Sequence, residues 1–135
     1  MKLAPESNSY SEIPFEEVLK AVSATLNTRQ VGDVTVIDCA GRITLGEGSS
    51  TLRDTIRDLS GKGNKKILLN LAEISYIDSS GIGELVSSFT TVSNAGGSMK
   101  LLKLTKRVQD LLQITKLYTV FEVFDDEAAA IRSFN

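Results

Sequence analysis

The sequence predicts an α/β fold: one domain with a mixed, mostly parallel β-sheet packed with about four α-helices. Three observations predict it. Short apolar or β-branched runs alternate with segments of helical period along the chain. Such alternation feeds right-handed crossovers onto a mostly parallel sheet. One run, Ile67-Leu68-Leu69-Asn70-Leu71, is almost continuously apolar, as a strand buried on both faces must be. Finally, 135 residues suit one domain, and a chain of that size buries roughly two-thirds of its unfolded surface without disulfide support.

The elements follow in order. Ser7, Asn8, Ser9 and Ser11 read as a loop or tail. Pro14 to Val22 fits a short helix with Pro14 in its first turn and Phe15, Val18, Leu19 and Val22 on one face. That helix is read equally as a partner-binding or packing helix or as a loosely docked extension. Thr25 to Arg29 alternate weakly, as an edge strand does. Gly32-Asp33 marks a hairpin turn. Val34 to Cys39 is a β-branched strand, which Gly41 is expected to break.

Leu52, Thr55, Ile56 and Leu59 give a helix with Ser49 and Ser50 as its cap. Its charges, Arg53, Asp54, Arg57 and Asp58, read as a solvated face. Gly61-Lys62-Gly63-Asn64 ends it. The central strand at Ile67 continues through Ile74, Tyr76 and Ile77. Ile82, Leu85, Val86, Phe89 and Val92 then recur at helical spacing, and Asn94-Ala95-Gly96-Gly97 stops that helix. Met99 to Leu104 is the next strand. Val108, Leu111, Leu112 and Thr115 mark a helix, and Val120 to Val123 a last short strand. Asp125 or Asp126 caps a final helix over Ala128 to Ile131.

Composition excludes several chemistries. There is no histidine, so neither a Ser-His-Asp triad nor a histidine zinc site can be built. Cys39 is the only cysteine and reads as a small buried hydrophobe. No calcium-loop spacing occurs. Gly46-x-Gly48 lacks the rest of a phosphate-binding fingerprint, and no P-loop lysine follows it. The net charge of −2 gives no footprint for nucleic acid. No apolar run approaches the ~20 residues of a membrane span, and the N-terminus lacks an apolar signal core. The expectation is a cytoplasmic protein, not an enzyme, with no cofactor, no metal and no nucleic-acid or membrane partner.

The chemistry-bearing stretch is Ile77-Asp78-Ser79-Ser80-Gly81-Ile82-Gly83. It lies where the central strand should end and a helix begin, at the carboxyl end of the sheet where α/β proteins place their sites. A phosphate on a serine there meets unpaired N–H groups and the positive end of the helix dipole. The fold tolerates it, while a partner surface meets about −1.5 to −2 added charges. Gly81 and Gly83 leave room for a partner's approach, and Asp78 or Ser80 can cap the helix. The same residues also fit plain capping and packing.

At these residues the chain closely resembles the signature of STAS domains, specifically the bacterial anti-sigma factor antagonists. Ile-Leu-Leu-Asn-Leu followed by Ile-Asp-Ser-Ser-Gly-Ile-Gly carries the resemblance. Gly96-Gly97 before Met99, and Val-x-x-Leu-Leu-x-Ile-Thr-x-Leu from Val108 to Leu117, extend it over about residues 25–134. The resemblance implies an anti-sigma factor antagonist. Such a protein binds an anti-sigma factor that is also a serine kinase, and binding frees a sigma factor. The kinase phosphorylates the serine after the aspartate, here Ser79, and a metal-dependent serine phosphatase reverses this. Asp78, Ser80, Gly81, Ile82 and Gly83 would share the docking surface with Ser79.

The chain departs from the family where many members carry Gly-Glu-Leu-Asp. Here Gly41-Arg42-Ile43-Thr44 stands, so Arg42 and Thr44 make the surroundings of the serine more positive. Residues 1–23 form an N-terminal extension, flexible or a short helix, and residues 24–135 the STAS domain. Two other functions fit the sequence. One is a scaffold STAS subunit of a stressosome-like sensory assembly. The other, with thinner support, is a nucleotide-binding domain.

Overall fold

A computed structural model describes residues 24–44 and 47–135. The helix expected over residues 14–22, the rest of the N-terminal extension and Gly46 lie outside the described residues. β1 (Ala24–Val31) and β2 (Val34–Ile43) form an antiparallel hairpin. Its turn is Gly32-Asp33, with Gly32 at φ 63°, a backbone region that glycine enters without strain. Gly41 does not end β2, against expectation. It takes φ 99° inside the strand, at a shift in the register with the neighbouring strand. The glycine bends the strand and lets it run on to Ile43.

α1 (Glu47–Gly61) starts before the expected serine cap, so Ser49 and Ser50 lie within the helix. β3 (Lys66–Ile77) is the longest strand at 12 residues, and α2 (Ser79–Asn94) follows it directly. β4 (Ser98–Leu102) is shorter than expected because Lys103 turns to φ 57°. α3 (Lys106–Ile114) is capped by Thr105, whose hydroxyl accepts from Val108 N. β5 is Val123–Phe124, displaced from the expected Val120 to Val123. Phe121 leaves the sheet plane to fill the core beside Phe89. α4 (Glu127–Arg132) is capped by Asp126, whose carboxylate accepts from Ala129 N.

The sheet order is β1-β2-β3-β4-β5, with every pair after the hairpin parallel. The strands advance in one direction, so right-handed crossovers put α1, α2 and α3 on one face. Ile37, Cys39, Ile67, Leu69, Leu71 and Leu101 meet those helices in the main core. The alternate residues Val34, Val36, Leu68 and Leu102 face the other way and pack under α4. β3 is thus buried on both sides over Ile67 to Leu69, as its apolar run predicts.

Beyond Val36 and Leu68 the second face turns polar. Asp38 and Asn70 are register partners there. Arg29 Nε donates to Asp38 at 2.7 Å, its Nη1 donates to Glu127 of α4 at 3.0 Å, and Asn70 Nδ2 donates to Asp38 at 2.9 Å. One guanidinium therefore ties β1, β2 and α4 together. It holds the Asp38 and Glu127 carboxyls below their ordinary values. A carboxyl whose folded pKa is depressed stabilises above its unfolded pKa, about 4, and that stabilisation is lost as pH falls through the lower folded value. These side chains are about a third exposed, so the screened total is about 1 kcal/mol. Arg29→Ala is expected to lower the urea midpoint at pH 7 and to flatten its decline below about pH 4.

Candidate functional site: the turn from β3 into α2

The main chain leaves the sheet at Ile77, which is fully buried. Asp78 is extended, with φ −113° and ψ −174°, and is the N-cap of α2. Its Oδ1 accepts from Gly81 N at 2.9 Å, and its carbonyl accepts from Ile82 N at 2.9 Å. Asp78 N donates to Ile43 O at 3.4 Å, which joins the turn to the end of β2. Asp78, not Ser80, is therefore the cap. Ser79 and Ser80 are the first two helical residues, freed from capping by the acid before them.

The six residues of the turn divide by exposure. Ser79 and Gly83 are exposed, Asp78 and Ser80 half-buried, and Gly81 and Ile82 buried. The Ser79 hydroxyl has no hydrogen-bond partner among the described residues. With no histidine in the chain, no imidazole is available to it as a general base. A Cβ on Gly81 would overlap the Ile43 carbonyl oxygen and lie 2.6 Å from Ile77 Cγ1. Gly81 is thus the position where α2 touches the ends of β2 and β3. Around Gly83 there is only open space.

Arg42 and Thr44 lie half-buried at the end of β2, alongside this turn. Arg42 pairs in register with Tyr76 of β3. Its guanidinium carbon stands 4.5 Å from the Tyr76 ring centroid. Arg107, in the first turn of α3, brings a second guanidinium to 4.6 Å from the same centroid. Arg107 Nε donates to Ile77 O at 3.3 Å, two residues before Ser79. Arg42 is visible in the sequence as the residue that replaces an acid. Tyr76 and Arg107 carry no local signal, because only tertiary contact unites positions 42, 76 and 107.

Elsewhere the charges and the thiol also find defined settings. Arg53, read from the sequence as part of a solvated face, instead pairs with Glu84 of α2 at 2.6 Å. The partner carboxylate is largely covered, at 14% exposure, so this pair fixes α1 against the helix that starts at Ser79. Burial, and secondarily Asp38, pushes the Cys39 thiol far above its ordinary pKa. That leaves it a packed hydrophobe and not a nucleophile. Among the described residues no group of three or more potential ligands could hold a metal ion, and no helix is long and apolar enough to cross a membrane.

Comparison with known proteins covers nearly all of this architecture. The family model described as STAS domain matches residues 25–130. The chain is 32% identical over 87 residues to the anti-sigma-B factor antagonist of Bacillus subtilis, a match covering 64% of this chain and 78% of that protein. It is 36% identical over 70 residues to a homologue of TM1081 from Thermotoga neapolitana. That match covers 52% of this chain and 62% of the relative, so it spans less than two-thirds of the relative's length. Among solved structures, Bacillus SpoIIAA in its phosphorylated form superposes with a TM-score of 0.66 at 20% identity, covering 82% of this chain and 100% of that one. At that identity the likeness is one of fold.

Proposed function

The chain belongs to the STAS domain family, and on that premise we propose that it is an anti-sigma factor antagonist switched by phosphorylation of Ser79. Unphosphorylated, it binds an anti-sigma factor that is also a serine kinase, and the sigma factor is released. The kinase transfers the γ-phosphoryl group of ATP to Ser79 Oγ. ADP leaves, and the hydroxyl proton goes to a base on the kinase, since this chain has no histidine to take it. A serine phosphatase restores the free hydroxyl. The domain is a cytoplasmic binding module in this reading, not an enzyme.

The observation that carries the reading is the setting of Ser79. The residue is exposed and its hydroxyl has no partner among the described residues, next to a cap that does not need it, at the carboxyl end of the central strand. The names of the relatives support the class of function. The docking surface is formed directly by Ser79, Ser80 and Gly83. Asp78, Gly81 and Ile82 act beneath it by fixing the turn. Arg42 and Thr44 set its charge at the β2 edge.

The experiment is phosphorylation by the cognate kinase with ATP. Wild type is expected to take one phosphate and Ser79→Ala none. Equal phosphorylation of Ser79→Ala would overturn the assignment.

A further inference from the structure

Arg42 and Arg107 bring two guanidinium groups to a single ring, that of Tyr76. Like charges gathered at one place repel, and proteins usually balance them with carboxylates. Here, among the described residues, neither arginine has an ion-pair partner. Some other cations of the domain do have one, Arg29 with Asp38 and Glu127, Arg53 with Glu84, Lys66 with Asp33 and Lys100 with Glu122, so what sets Arg42 and Arg107 apart is that two unpaired guanidiniums share one ring. Arg107 spends its Nε on the Ile77 carbonyl, which leaves its terminal N–H groups uncommitted. Arg42 has no hydrogen-bond partner among the described residues. The contact with the ring holds both guanidiniums in place without using their terminal N–H groups, which lowers the entropy lost when an anion is bound.

The position of this pair gives it a ligand. Arg107 is fixed to the carbonyl of Ile77, and Ile77 and Ser79 are two residues apart, at most ~7 Å between Cα atoms. Arg42 sits beside Tyr76, three residues before Ser79, on the strand whose end touches the first turn of α2. The residue directly before Ser79 is Asp78, whose carboxylate caps α2. A phosphate on Ser79 would stand close to that carboxylate and be opposed by it. Two uncommitted guanidiniums on the same edge offset the repulsion and offer the forked donors that match phosphate oxygens.

We propose that Arg42, Tyr76 and Arg107 form a receiver for the phosphate of phosphorylated Ser79, stabilising the phosphorylated domain and drawing its charge onto the β2–β3 edge. This rests on the reading of Ser79 as the phosphorylated residue, and it adds a role for this chain's own arginines in holding the phosphorylated state.

The test does not need the kinase, so failure of the receiver is distinguishable from failure of the proposed function. Phosphoserine is installed at position 79 by expanded genetic code in the full chain. Thermal unfolding is then compared with and without phosphate, in wild type and in Arg42→Gln, Arg107→Gln and the double variant. In wild type the phosphate is expected to raise the melting temperature by ~3 °C or more relative to the double variant's own response. Each single variant should lose part of that difference, and Arg42→Lys should recover some of it. NMR of the arginine Nε–H groups supplies a readout independent of stability: the Arg42 and Arg107 resonances are expected to shift on phosphorylation and those of Arg29 and Arg53 to stay. A phosphate response unchanged by the double variant, or silent Arg42 and Arg107 resonances, would overturn the proposal. Failure of the kinase to modify Ser79 would instead overturn the proposed function, and with it the receiver's role, whatever the installed phosphate does to the melting temperature.

Discussion

Gly81→Ala is expected to destabilise the chain by about 3 kcal/mol or more, while Gly83→Ala, two residues along the same helix, is expected to stabilise it. A methyl on Gly81 collides with the Ile43 carbonyl and with Ile77 Cγ1. Both are buried at the ends of central strands, so neither has room to withdraw. The helix must move off the sheet, which breaks the Asp78–Ile43 hydrogen bond and disturbs the Asp78 cap. Gly83 has nothing within 4 Å. There the methyl adds no clash, and alanine removes the roughly 0.5–1 kcal/mol that glycine costs inside a helix. Urea unfolding of the two variants checks the contrast. Equal effects would mean that α2 does not rest on β2 as described.

On the proposed function, Ser79→Asp is expected to weaken binding to the proposed anti-sigma factor partner by about a hundred- to a thousand-fold, or ~3–4 kcal/mol, with the fold intact. Ser79→Ala is expected to bind as wild type does. The difference follows from where the side chain sits. The hydroxyl has no partner among the described residues, so its removal leaves no buried group unsatisfied. A carboxylate at the same place joins the start of a helix, where the dipole accepts it. Placed in an interface centre, that charge must be desolvated against the partner, and both terms oppose association. Calorimetric titration measures the ratio, and equal affinities for the two variants would remove the switch.

The parts legible in the sequence were those set by local pattern. The apolar run Ile67 to Leu71 has one arrangement that buries it, between two layers, and β3 is buried on both faces there. The spacing of Ile82, Leu85 and Val92 placed one face of α2 on the sheet. Wherever the outcome depended on backbone freedom or a distant neighbour, the pattern was insufficient. Gly41 reads as a strand breaker, yet a glycine at φ 99° can also carry a register shift inside a strand. Val120 and Phe121 have strand propensity, but the main core captures Phe121 and moves β5 onward. Arg53 looks solvated on its own helix, and only the approach of α2 gives it Glu84.

The site shows the same division. Asp78 to Gly83 form one contiguous strand–helix turn, so the motif marks its place. The resemblance, not the spacing, chose one serine over the other as the proposed phosphate acceptor; in the structure Asp78 takes the cap, and Ser79 is more open than Ser80. Gly81 and Gly83 look equivalent in sequence, but one packs against a carbonyl and the other faces solvent. Arg42, Tyr76 and Arg107 converge from three elements, and no spacing rule relates them.

The most direct test is mass-spectrometric mapping of phosphopeptides from the full chain isolated with its native partners. The account predicts phosphate on Ser79, with Ser80 unmodified. Phosphate on Ser80 instead, or none on Ser79 under every growth condition, would contradict it.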